Sequence, residues 1–282
     1  MLTDVLSADA ATLRVSPAQF ILHDIEPGRE YDVHKETGVR FSIYNDDTVS
    51  RTWVLTTHRP SERGRWETGY TEIPDPGWCW FSDNEITVDP NSVGYGYLFV
   101  KVPGEAQYFN QHWMTTVSVT GKSGAGNVSL AVDVRVGIET KSVDSVAARP
   151  AGKLGMVPST AVFSAVVPGE TSKSSVRIYN NSDEPRIFGV NSLFADPKFE
   201  PKTYLVAGRQ LLPSRDWLQY APSFEIGPRG IYALQVELRV PAQTDRIGKK
   251  WEDCLLVQSE DGLLGFIRVR VDMVDTTAPA ER

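Results

Sequence analysis

The residues able to do chemistry are scattered along the chain. His23, His34, His58 and His112 all lie in its first half. No two of them stand at a ligand spacing such as His-x3-His, and no cysteine pair accompanies them, so no metal centre is indicated. Asp46, Asp47, Asp83, Asn84, Glu85 and Asp89 offer oxygens of the kind calcium takes. They form no EF-hand loop, and turn-forming Asp and Asn account for them equally well. There is no Gly-x-Ser-x-Gly elbow, phosphate-binding loop or dinucleotide fingerprint. A carboxylate pair for glycoside hydrolysis is defined by distance in space and so stays open at this level. The reading is a non-enzyme without catalytic residues, metal or cofactor.

The densest feature is aromatic. Trp78-Cys79-Trp80-Phe81 forms one run, and Trp53, Trp66 and Tyr70 precede it. Exposed aromatics stack on sugar rings or anchor protein partners. Trp66, Tyr70, Trp80 and Phe81 are therefore the candidate partner-binding residues, within a surface spanning residues 59–81. The competing reading makes these rings part of a large core or of a domain–domain contact. Alanine at Trp80 and Phe81 together is expected to weaken capture without unfolding. Cys79 and Cys254 fall in different halves, so each half holds one thiol. Two buried free thiols are expected, an interdomain bridge being the alternative.

These residues are positioned by a duplicated set of elements. Pro17 to Pro27 spans ten residues, as does Pro158 to Pro168, and Gly28 and Gly169 follow. Pro90 to Pro103 and Pro228 to Pro241 each span thirteen, and Pro103 to Trp113 and Pro241 to Trp251 each span ten. Tyr44/Tyr179, Asn45/Asn180 and Trp78/Trp217 complete nine matched identities. A repeat at fixed intervals means one supersecondary plan used twice. The asparagine of the sequon Asn180-Asn181-Ser182 belongs to that shared plan, which argues against a glycan acceptor there. Asn127-Val128-Ser129 is a sequon only in a eukaryotic source.

The periodicity within each copy is two. Val128, Leu130, Val132, Val134, Val136 and Ile138 alternate with smaller or polar residues, and Ile267, Val269, Val271 and Met273 alternate with Arg268, Arg270 and Asp272. Such runs are strands with one face toward a core. Pro-Gly, Asn-Asp-Asp and Asp-Pro turns separate them, and no amphipathic helix of ten residues appears. The expected fold is all-β, with two tandem immunoglobulin-like antiparallel sandwiches. Residues 13–140 and 154–274 form the domains, 141–153 the linker, and 1–12 and 275–282 flexible ends.

The chain has 282 residues, 41% hydrophobic and 23% charged, with net charge −7. Those values suit two soluble globular domains. An acidic chain without a basic stripe disfavours nucleic acid. No stretch of 18 apolar residues is present, so no membrane span is expected. Met1–Ala11 has no basic start or long apolar run and does not read as a signal peptide, although a leader removed upstream is compatible with it.

Taken together, the proline–glycine opening, the strand ending in Asn, the tryptophans and the Val-Pro steps resemble the immunoglobulin-like superfamily that includes pilus chaperones and major-sperm-protein modules. The resemblance covers almost the whole chain and implies architecture more than activity. It implies a periplasmic, cell-surface or secreted structural or assembly protein whose partner is a protein or another copy of itself. The alternative is a binding module for carbohydrate or for an extended peptide strand. In pilus chaperones an edge strand of domain one is lent to a subunit and basic cleft residues hold a carboxylate. Here residues 128–138 and Arg14 are the corresponding candidates. The matched strand in domain two alternates in the same way, and Gly155 stands opposite Arg14 in the repeat, which favours a plain core role.

Overall fold

Successive side chains of a strand point to opposite faces, and the period-two runs form strands in the computed structural model, which describes residues 13–64, 66–122, 130–195, 204–242 and 248–274. The expected flexible ends lie outside the described residues, as do Val128 and Ser129. The first sandwich holds β1 (Leu13–Ser16), β2 (Gln19–Ile25), β3 (Glu30–Asp32), β4 (Phe41–Asn45), β5 (Arg51–His58), β6 (Thr71–Glu72), β7 (Cys79–Phe81), β8 (Glu85–Val88), β9 (Ser92–Gly96), β10 (Leu98–Lys101), β11 (His112–Gly121) and β12 (Ala131–Thr140). The second holds β13 (Leu154–Val157), β14 (Thr160–Val166), β15 (Thr171–Asn180), β16 (Arg186–Ser192), β17 (Gln210–Leu211), β18 (Leu218–Gln219), β19 (Ser223–Ile226), β20 (Ile231–Arg239), β21 (Lys250–Ser259) and β22 (Leu264–Met273).

One layer of the first sandwich runs β2-β12-β11-β5-β8, with β6 beside β11. Its other layer is split into β1-β4-β9 and β3-β10-β7. The second sandwich repeats the plan as β14-β22-β21-β16-β19, with β17 beside β21, over an unsplit β13-β15-β20-β18. Among the described residues no strand pairing joins β1–β12 to β13–β22. The split has a local cause. The first copy is six residues longer here, and the chain forms a five-residue helix, α1 (Val33–Thr37), capped by the Asp32 carboxylate on the Lys35 amide and closed by Gly38 at φ 75°.

The sheets are not antiparallel throughout. The chain crosses between layers after β1 and after β13, at Pro17 and Pro158, each preceded by a cis peptide bond. β2 and β14 then lie parallel to the last strand of their own copy. The short β6 and β17 are also parallel to their neighbours.

Matched residues do matched work. Buried Asn45 donates its side-chain amide to the carbonyls of Val49, Val88 and Asp89, and buried Asn180 does the same to Glu184, Ile226 and Gly227. Gly28 and Gly169, at φ 92° and 90°, donate to Val102 and Val240, each at 2.8 Å. Each sandwich encloses its own core, around Trp53, Phe41 and Trp113 in the first and Phe188, Trp217 and Trp251 in the second. Both cysteines are buried and unbridged. Burial pushes the Cys79 thiol up to about 12 and the Cys254 thiol up as well.

Candidate functional site

β11, β12, β21 and β22 bury side chains on both faces. One face lines the strand's own sandwich core, and the other faces the opposite domain. The arginines of β22 alternate with its core-facing residues and so point away from that core. The structure closes Arg268 completely inside the seam. Its guanidinium donates from Nε and Nη2 to both oxygens of Glu139 on β12, the two-pronged geometry that suits a carboxylate. Its Nη1 stands 3.3 Å from buried Glu252 and reaches the Cys254 sulfur. Glu139 also accepts from the Tyr70 hydroxyl and lies 3.1 Å from His23 Nδ1. Arg270 extends the chain of charges to Asp24 at 3.1 Å. Tyr204 donates to Glu67 at 2.7 Å, and Glu67 pairs with Arg135.

Burial alone would raise the Glu139 carboxyl, but Arg268 and His23 outweigh it and hold the group well below the usual carboxylate range. Burial opposes the Arg268 charge, yet the carboxylates around it drive its proton affinity well up. Burial, reinforced by Glu139, pushes the Tyr70 phenol up, and burial pushes His112 down to about 4. His112 stacks on Phe266 at 3.9 Å with the rings 8° from parallel. Tyr70, Met114, Leu193, Phe194, Tyr204, Cys254 and Phe266 form an apolar cluster beside the charges. Gly69 has φ +86°, and a Cβ there would come within 2.6 Å of Phe266.

The connector is packed rather than loose. Asn110, at φ 60°, donates to the Val143 and Ala148 carbonyls and accepts from the amides of Val143 and Ser159. One side chain thereby ties the first sandwich, the connector and the start of β14. Arg149 lies over the Tyr179 ring and donates to Asn181.

Where the 66–74 loop, the connector and the β21–β22 hairpin meet, a cleft of about 520 Å³ opens. Trp66, Tyr108, Trp113, Leu154 and Leu263 form its apolar walls, and Gln107, Gln111, Glu72 and Lys153 add polar groups. Its size and lining suit a small ligand or a short segment of a partner. A second hollow of about 600 Å³ lies between β2 and α1, lined by Phe20, Leu22, Tyr31, Val33 and Val39.

The four sequence-predicted binding residues are not gathered on one surface. Trp66 is half exposed at the cleft rim, its indole N–H donating to the Tyr70 carbonyl at 2.9 Å. Tyr70 is 3% exposed and belongs to the seam. Trp80 is half-buried on the outer layer, stacked on Phe99 at 5.9 Å. Phe81 is 5% exposed and packs edge-on against Phe41 in the first core. Strand alternation sends neighbours 80 and 81 to opposite faces, so Phe81 and Tyr70 are corrected from accessible anchors to packing residues.

The remaining candidates also fall into place. His58 contacts Glu62 and Arg63, and His34 lies against Tyr97. Among the described residues no group of three metal-ligating side chains converges. Arg14 lies over Tyr44 and faces Asp46 at 3.6 Å, on the outer layer and away from the seam. β12 is flanked by β11 along its length and by β2 from Arg135 onward. Sequence reasoning missed Glu139, Glu252 and Arg268. The available signal was weak, because the same strands carry other charged residues such as Asp133, Arg135 and Lys250.

No family model matches the chain, and no curated protein matches it either. Solved structures similar to it include a protein of unknown function from Porphyromonas gingivalis W83, with 16% identity over 93% of this chain and 99% of that one, at TM-score 0.36. The Salmonella enterica SafA pilin in complex with the SafB chaperone gives 11% identity over 95% and 99%, at TM-score 0.34. The PapD-like domain 7 of human CEP192 gives 16% identity over 44% and 87%, at TM-score 0.31.

Proposed function

We propose that the chain is a non-enzymatic assembly component of the cell envelope or exterior, a stiff two-sandwich body that takes hold of a protein partner at the aromatic cleft on its seam. The observation that carries this reading is the buried two-pronged Arg268–Glu139 pair. It fuses the sandwiches instead of leaving them hinged, as a spacer requires. The groups best suited to acid–base work support the non-enzymatic part of the reading: Glu139 and His112 are closed off in the same seam. The cleft adds a concave surface built from both sandwiches and the connector.

The test is co-sedimentation of the purified full chain with envelope material from its source. Wild type is expected in the pellet, and Trp66→Ala combined with Leu263→Asp is expected in the supernatant with its melting temperature kept. A wild type that stays in the supernatant, or a variant that still pellets, would overturn the reading.

A second reading, capture of an extended strand, is favoured by one observation. Among the described residues β2 pairs only with β12, so its outer edge is unpaired and runs beside the second hollow. Edge strands of this kind accept an added strand. Hydrogen exchange at residues 19–25 should slow when an extended apolar peptide is added, and unchanged exchange counts against strand capture.

A further inference from the structure

The split outer layer of the first sandwich carries a surface that the repeat does not require. Along β9 and β10 the buried residues Gly96, Leu98 and Val100 alternate with Tyr95, Tyr97 and Phe99, which therefore face outward. Trp80 lies across from Phe99, and Tyr44 is outward-facing on β4. The second copy provides an internal control. The positions matching Trp80, Phe99, Tyr97 and Tyr95 are Gln219, Glu237, Gln235 and Ala233, fixed by the equal proline intervals and by equivalent strand pairing. The same fold thus forms with polar or small residues there. Stability does not account for four aromatic rings at four matched positions.

The geometry favours one ligand chemistry. Trp80 and Phe99 are cross-strand neighbours on the outer layer, and their rings stack with centroids 5.9 Å apart and 16° from parallel. Arg14 and Arg40 lie over the Tyr44 and Tyr95 rings, 4.0 and 3.7 Å from their centroids. Flat aromatic faces receive the C–H faces of pyranose rings, while tyrosine hydroxyls and guanidinium N–H groups meet the hydroxyl edges. Charge points the same way. Arg14 pairs with Asp46, Lys35 with Asp32 and Lys101 with Glu30. Among the described residues Arg40 has no carboxylate partner, and its guanidinium over Tyr95 falls short of the basic stripe a polyanion needs, which fits a neutral polymer. We propose that the outer face of the first sandwich, centred on Trp80, Phe99 and Tyr95, binds a neutral polysaccharide chain. This site is separate from the seam cleft and does not depend on the reading given to that cleft.

Affinity electrophoresis of the full chain through gels containing hydroxyethylcellulose, mixed-linkage β-glucan, galactomannan or xylan tests it. Retardation by at least one of these polymers is expected. Trp80→Gln with Phe99→Glu, which installs the second copy's own residues, should weaken it about tenfold or more, since stacked rings are worth that much to a flexible polymer. Gln219→Ala with Gln235→Ala should leave it unchanged. Thermal melting checks that each variant is folded, and Tyr95→Ala supplies a milder variant if the double change melts early. Either of two results would overturn the proposal: no retardation by any of the four polymers, or equal retardation of folded wild type and variant.

Discussion

Asn45 and Asn180 show what one side chain does in this fold. Each is fully buried and satisfies three carbonyls that would otherwise lose their partners at the end of a strand. Leaving buried acceptors unpaired is costly, so Asn180→Ala should lower unfolding stability by about 2–4 kcal/mol in urea titration. A loss no larger than that of an exposed change such as Ser175→Ala would refute that role. The tyrosine–asparagine repeat is visible in the sequence, but the carbonyls it serves are 46 and 47 residues away from Asn180 in one pair of contacts, and no local pattern reveals them. Trp80 and Phe81 teach a related lesson. Adjacent aromatics look equivalent along the chain, yet the alternation of Cys79, Trp80 and Phe81 decides which is core. Phe81→Ala should cost about 3–5 kcal/mol, and Trp80→Ala far less, measured in the same titration.

At the scale of elements, β22 departs most from its sequence pattern. Alternating apolar and charged residues correctly indicate a strand with one face in the core. The same pattern says only that Arg268 points away from that core, because water and a carboxylate on another domain look alike to a periodicity. Its partner Glu139 is 129 residues away. Removing one member of a buried pair strands the other charge, so Arg268→Ala should destabilise by about 3–5 kcal/mol. Arg268→Met with Glu139→Gln removes the charges together and should recover at least half of that loss. If the double variant falls to the level of Arg268→Ala, uncompensated charge is not the cause. The helix α1 shows the converse case. The six-residue excess was legible as an insertion, whereas its consequence, the split of one sheet into β1-β4-β9 and β3-β10-β7, follows only from where β3 and β4 must pair.

For the whole molecule, the duplicated intervals specify two sandwiches but not how they meet, because the matched residues serve turns, strand ends and cores within each copy. The meeting is written in residues where the copies differ, and it makes acid the natural solvent for undoing it. His112 is packed against Phe266 and faces Glu139, Arg268, His23 and Arg270. Burial pushes it down to about 4, so the folded chain keeps it neutral at pH values where the unfolded chain, with an ordinary value near 6.5, already binds a proton. The unfolded state then holds more protons between those values, and stability falls as pH drops through that window, by about 3 kcal/mol at its lower end. Glu139 acts in the same direction further down. Its carboxyl is held low in the fold, so its contribution is present above the ordinary carboxylate value and is lost as pH falls beneath it. Urea midpoints should therefore decline from pH 7 to pH 4, and His112→Phe, which keeps a flat ring against Phe266, should flatten the decline between pH 6.5 and 4.5. A variant with the wild-type slope would place the acid sensitivity elsewhere in the chain and would leave the seam without a part in it.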